Sequence, residues 1–267
     1  MSTRERIRLA CLTHLLNRLD QAEVSEKPFP HFFVRNLLPD EIYARMVKSL
    51  PETSHYSQLA KYDRADASTR HRMGLQTKDL APLGAEQADL WLGVRDALGD
   101  ISVKRKVFRK LESGIAFRFG IPLSEVEEAP GYPLPELYRE TTGYSIKPHP
   151  DTRRKVVTMQ MSLAADESQR DLGTTFYRIS PNPIHLLQEP RGFATAKQMS
   201  FSPNSAYAFV VLNTITKRSW HGREQLREGC GTRNSLLHLY YGDPADGNPE
   251  LVEKFYQPTA AAQRKAA

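Results

Sequence analysis

Cysteine is nearly absent: Cys11 and Cys230 are the only two in 267 residues, and neither sits in a Cys-x-x-Cys pair. That excludes a disulfide framework and makes a reducing, cytoplasmic compartment the expectation. Long apolar runs are missing as well. No stretch approaches the roughly 18–20 residues that a membrane span requires. The opening MSTRERIRLACLTHLL mixes charge among its apolar residues at helical spacing and lacks the unbroken apolar core of a secretory signal. The phosphate-cradling patterns GxGxxG and GxxxxGK[ST] do not occur, nor do RNP or zinc-finger motifs. No internal repeat is evident.

What is present is ordinary globular composition, 40% apolar and 25% charged, in a chain long enough for a substantial core. The net charge is +6, with basic clusters at residues 70–72, 104–106 and 153–155. Without a nucleic-acid motif these read as a solvated basic surface. Neither a nucleic-acid nor a membrane partner is expected, and the charge favours an anionic or carrier-linked small-molecule substrate. Nothing in the pattern speaks to oligomeric state.

Periodicity divides the chain. Residues 1–130 read as a mainly helical support region. Ile7, Leu9, Ala10, Leu12, Leu15, Leu16 and Leu19 mark an opening amphipathic helix. A short strand is predicted over 27–34, where prolines lead into an aromatic and β-branched run, and a helix over 41–50. Residues 53–80 form a polar stretch expected as a loop or lid, and a helix pair broken near Gly99 and Asp100 spans 84–120. Residues 131–245 change character: eight short strands are predicted at 135–142, 144–151, 155–164, 173–180, 194–202, 205–213, 219–226 and 232–242. Eight short antiparallel strands of this kind fit a double-sheet jelly roll, with a barrel or a sandwich the other arrangements that the periodicity allows; the expected fold is α+β, mainly β, with a jelly-roll (double-stranded β-helix) core and the helical portion packed on it. Residues 246–267 are expected as a tail, fraying at its end.

Within the β-rich part, His149-Pro150-Asp151 is the sole His-x-Asp or His-x-Glu. Residues two apart on an extended segment share a face, so both side chains can reach one metal ion. His221 lies on a later predicted strand. Two histidines and one carboxylate leave open positions on a metal, which is the ligand set of non-haem Fe(II) oxygenases. Arg233 follows His221 by 12 positions on the next strand and shares a face with Ser235. Together they can grip a carboxylate by a charge-assisted fork and a hydroxyl bond. Removing Asp151 is therefore expected to cost metal binding and little stability.

The order of these elements, with TTGYSIKPHPD, DLGTTFY and FSPNSAYAFVVLNTITKRSWHG around them, resembles the Fe(II)/2-oxoglutarate-dependent oxygenase superfamily, in its prolyl-hydroxylase-like branch. The resemblance implies that His149, Asp151 and His221 bind Fe(II). It implies that Arg233 holds the distal carboxylate of 2-oxoglutarate, with Ser235 or a nearby Tyr assisting; Tyr138, Arg139 and Tyr144 lie on strands near His149 and Asp151, and one of them is expected to line the cosubstrate pocket. The implied reaction uses O2 and 2-oxoglutarate to hydroxylate an unactivated C–H bond, with succinate and CO2 as coproducts. Asp151 occupies the position that related halogenases leave to a small residue. Leu239 stands where the nucleic-acid dealkylating branch carries a second arginine. The alternatives are a protein (prolyl-type) hydroxylase, a cupin-like metal isomerase and a jelly-roll binding module.

Overall fold

The computed structural model describes residues 1–59 and 69–256. Helix α1 (Thr3–Asp20) leads to a hairpin of β1 (Glu23–Ser25) and β2 (His31–Arg35), then α2 (Asp40–Lys48), β3 (Ser57–Gln58), β4 (Arg70–Gly74) and the one-turn α3 (Thr77–Leu80). Three helices follow: α4 (Ala85–Leu98), α5 (Ile101–Lys110) and α6 (Glu112–Phe119). Next come β5 (Tyr132–Glu140), β6 (Ile146–His149), β7 (Lys155–Ser162) and β8 (Thr175–Ile179). After α7 (Ile184–Leu187) the chain continues through β9 (Phe193–Gln198), β10 (Ser205–Val210), β11 (His221–Arg223), β12 (Arg233–Tyr241) and α8 (Pro249–Phe255). All eight strands expected after residue 131 are present, each trimmed or shifted by a few residues.

Two antiparallel sheets face each other. The large one has the order β1-β2-β10-β7-β12-β5-β4-β3, the small one β6-β11-β8-β9. From β5 to β12 the chain passes back and forth between them, which makes β5, β12, β7 and β10 one wall of a jelly roll and the small sheet the other. β1 and β2 extend the large sheet on one side, and β4 and β3 on the other.

Strand alternation sorts the large sheet's residues. Val157, Met159, Met161, Leu236, Tyr240, Ala206 and Ala208 point outward and share one apolar core with Ile7, Cys11, Leu15 and Leu19 of α1 and with Trp91 and Val94 of α4. Leu9, expected on that face of α1, is exposed. Ser2 caps α1 by accepting from the Glu5 N–H, and Arg18 complements the dipole at its other end. Helices α1 and α4 approach closely at Gly93, where a Cβ would lie 2.7 Å from Ile7 Cγ2. The opposite face of the large sheet, with Glu140, Thr158, Gln160, Tyr207, Phe209 and Arg233, looks across at the small sheet.

Three expectations change. The described parts of 53–80 are not a loop, because β4 pairs along β5. Its pattern is hidden because Arg70 and Arg72 meet Glu140 and Glu136 at 3.0 and 3.5 Å, so charge pairing replaces apolar alternation. Residues 60–68 lie outside the described residues. The helix pair is three helices, with a second break at Leu111. The region after 245 carries a docked helix: Leu251 is fully buried, Glu250 pairs with Arg95 at 2.6 Å, and Lys254 pairs with Asp96 at 3.0 Å. Residues 257–267 lie outside the described residues. Among the described residues no helix is long and apolar enough to cross a membrane.

Candidate active site

β6 and β11 are neighbours in the small sheet, and His149 and His221 are direct partners across them. Their rings lie 4.5 Å apart. Gly222 permits this approach: a Cβ there would sit 2.6 Å from the Ile146 carbonyl oxygen, inside contact distance with the β6 backbone. Each ring is oriented by its own chain. His149 Nδ1 donates to the Lys147 carbonyl and His221 Nδ1 to the Ser219 carbonyl, both at 2.9 Å. A carbonyl can only accept, so Nδ1 carries the hydrogen and Nε2 keeps its lone pair for a metal.

Asp151 lies just past the end of β6 and is 7% exposed. Its oxygens accept from Lys155 Nζ at 2.9 Å and Thr158 Oγ1 at 2.7 Å, and Asn213 holds its backbone carbonyl at 3.0 Å. Burial alone would raise its pKa, but Lys155 and then His221 outweigh that and hold the carboxyl well below the usual range. Burial pushes His149 down to about 4, with His221 adding to the effect, and burial lowers His221 too. At neutral pH the set is two neutral imidazoles and one carboxylate. The ligand atoms of His149, Asp151 and His221 all lie within 4.8 Å of one another. That donor set suits a divalent first-row metal and leaves positions free for exchangeable ligands.

No known protein-family model matches the chain, and no curated protein sequence matches it. Solved structures of similar shape exist. One is a Pseudomonas putida prolyl-4-hydroxylase, 12% identical over 87% of this chain and 99% of that one, with a TM-score of 0.47. Another is an Arabidopsis thaliana dioxygenase for auxin oxidation in complex with 2-oxoglutarate, 13% identical over 93% and 92%, with a TM-score of 0.48. A third is a non-heme α-ketoglutarate-dependent epimerase from nogalamycin biosynthesis, 13% identical over 87% and 83%, with a TM-score of 0.42. Likeness at this level carries no weight on reaction or substrate. The jelly roll is read from the strand order and the site from its own geometry.

A cavity of about 320 Å³ runs from the His149, Asp151 and His221 cluster between the sheets. Its walls carry Arg70, Glu140, Tyr144, Gln160, Thr174, Tyr207, Arg223 and Arg233. Arg233 stands opposite Glu140 in the β12–β5 register and forms a buried ion pair with it. The Arg233 Nε–H donates to the Leu172 carbonyl at 2.7 Å and a terminal N–H to Gln160 Oε1 at 2.9 Å. Its guanidinium also stacks on Phe201, 4.3 Å from the ring centroid. The other oxygen of Glu140 meets Arg70 Nε at 3.0 Å, so one carboxylate serves two guanidiniums. Gln160 Oε1 bonds with the Tyr207 hydroxyl as well, and Thr174 completes the cluster.

The remaining expected residues divide. Tyr144 lines the cavity, with the Arg70 guanidinium 5.4 Å from its ring centroid. Ser235 shares the inward face with Arg233 but is fully buried beneath Gln160, whose Nε2 donates to its hydroxyl at 3.1 Å, and it does not line the cavity. Arg139 is not brought to the site. Alternation along β5 turns Glu140 inward and Arg139 to the opposite face, between His71 and Asn234 in register. Lys155, Thr158, Gln160, Glu140, Tyr207 and Arg223 escaped the sequence reading. Thr158 and Gln160 left a trace, two polar residues at period two in an otherwise apolar strand. The others depend on pairings between distant segments.

Proposed function

We propose that this protein is an Fe(II)- and 2-oxoglutarate-dependent dioxygenase acting on a small-molecule or carrier-linked substrate. The observation that supports this most is the trio of His149, Asp151 and His221, with both Nε2 atoms unprotonated and the three ligand atoms within 4.8 Å of one another. His149, Asp151 and His221 would hold the metal. When bound, Fe(II) with 2-oxoglutarate and O2 supplies oxidative decarboxylation to succinate and CO2 and hydroxylation of a C–H bond. The chain's own part is electrostatic and steric. Lys155 and Thr158 fix the Asp151 carboxylate. The cationic far end of the cavity, with Arg233 among its residues, accepts the acid end of the cosubstrate. Phe209 and the inward apolar residues exclude water from the metal side. A cavity of about 320 Å³ fits a cosubstrate and one reacting group, at the small end of the range for ligand sites.

The test is direct. Anaerobic protein with Fe(II) and 2-oxoglutarate should show a weak visible charge-transfer band, absent when either component is omitted. On admitting air, succinate should form in proportion to 2-oxoglutarate consumed. Absence of both signals would remove the reading.

A further inference from the structure

Charge accounting in the cavity singles out one residue. Lys155 is paired with Asp151, and Arg70 and Arg233 share Glu140. Arg223 also lines the cavity, is 7% exposed, and has no carboxylate within ion-pair distance among the described residues. Its one described hydrogen bond runs from a terminal N–H to the Gly173 carbonyl at 3.1 Å, and its buried Nε has no partner among the described residues. A buried guanidinium left this way costs stability unless an anion meets it.

Its placement says where that anion lies. Arg223 is two residues beyond His221 on β11, and Arg233 opens β12. Their guanidiniums donate to the consecutive carbonyls Gly173 and Leu172, which sets the two side by side at one end of the cavity. The pair thus repels itself unless a negative group sits between or in front of it. Glu140 is in ion-pair contact with Arg233 and Arg70 and reaches Arg223 only at longer range.

Resting on the reading above, we infer that Arg223 supplies the uncompensated charge that holds the distal carboxylate of the 2-oxo acid, while Arg233, balanced by Glu140, orients that carboxylate through its remaining N–H groups. Arg223 is a binding residue that touches the cosubstrate at the end away from the reacting atoms. The sequence points first to Arg233; the decisive charge lies instead on β11, the strand of His221.

The experiment measures binding rather than turnover. Mn(II)-loaded protein is titrated calorimetrically with 2-oxoglutarate and with pyruvate, which has the chelating end and lacks the distal carboxylate. Arg223→Met should weaken 2-oxoglutarate on the order of a hundredfold and leave pyruvate within about twofold. Arg223→Lys should fall between, since an ammonium keeps the charge and loses the fork. Mn(II) affinity should match the parent on each variant, and Tm without 2-oxo acid should equal or exceed it because an uncompensated buried charge is removed, which separates a lost contact from a lost fold. Equal 2-oxoglutarate affinity in parent and Arg223→Met would overturn the inference and leave the dioxygenase reading standing. A parent protein that binds neither 2-oxo acid would overturn both. An equal loss for pyruvate and 2-oxoglutarate would show that Arg223 acts on the metal end, and would also overturn it.

Discussion

Glu140 neutralises Arg233 from directly across the β12–β5 register, and with its second oxygen it holds Arg70 on the adjacent strand. Three neighbouring strands of the large sheet are thereby tied at one carboxylate, beside the cavity. Replacing Glu140 by Gln would leave two guanidiniums facing each other with no anion. Removing one partner of a buried pair typically costs about 3–5 kcal/mol. Urea denaturation should show a loss in that range. Glu140→Gln combined with Arg233→Met should recover part of it, because the uncompensated charge goes with the second change. A Gln variant as stable as the parent would mean that the carboxylate contributes nothing.

Asp151→Ala should lower metal affinity at least about a hundredfold, since it removes the anionic ligand from a face otherwise built of neutral imidazoles. The structure adds a second effect that the sequence hid. Lys155, largely buried and paired with Asp151, loses its partner, so stability should fall by about 1 kcal/mol rather than stay level. Anaerobic Fe(II) titration and a melting curve of the same sample read the two effects separately.

Gly222→Ala tests the spacing of the histidine strands. A methyl group 2.6 Å from the Ile146 carbonyl forces β11 away from β6, because the obstacle is backbone and cannot rotate aside. Metal affinity should drop by about tenfold or more, with Tm lowered by several degrees. Metal binding at the parent's affinity would show that the two strands tolerate a wider separation.

His238 gives an acid-dependent stability unrelated to the metal. It lies in the core between the large sheet and the helices, its ring 4.6 Å from that of Tyr240, and neither ring nitrogen has a hydrogen-bond partner among the described residues. Burial pushes its pKa down to about 3, against an ordinary value of 6.5. Below pH 6.5 the unfolded chain takes up a proton that the folded chain refuses. Stability is therefore fully present above pH 6.5 and falls as pH drops from there towards about 3. His238→Met removes this liability. Relative to the parent it should gain about 2 kcal/mol between pH 7 and pH 5, at up to about 1.4 kcal/mol per pH unit. Denaturation at the two pH values measures the difference, and parallel losses in both proteins would exclude His238 as the source.

The strands and the grouping of His149, Asp151 and His221 were legible because their signals are local. Strands β5 to β12 carry turn residues at their ends, and His149 with Asp151 needs only the two-residue period of an extended chain. Arg233 was legible as a buried arginine in need of an anion, but not its partner. Glu140 lies 93 positions away, and only the sheet register brings it opposite. Arg139 was misplaced for a related reason, since adjacent strand positions look alike in a sequence and face opposite ways in a sheet. β4 was hidden because its inward positions are arginines matched to glutamates. Helix α8 was hidden because one buried leucine and a few ion pairs hold it, too little apolar pattern to stand out.

His149 and His221 each take their aim from a carbonyl two residues upstream, Lys147 for the one and Ser219 for the other. Neither ring waits for a distant segment to arrive and steady it. A chelator would strip the cation from such a pair without setting the rings loose. Were a metal to bind there, it would meet two rings already oriented by their own strand backbones, with no other segment needed to set them.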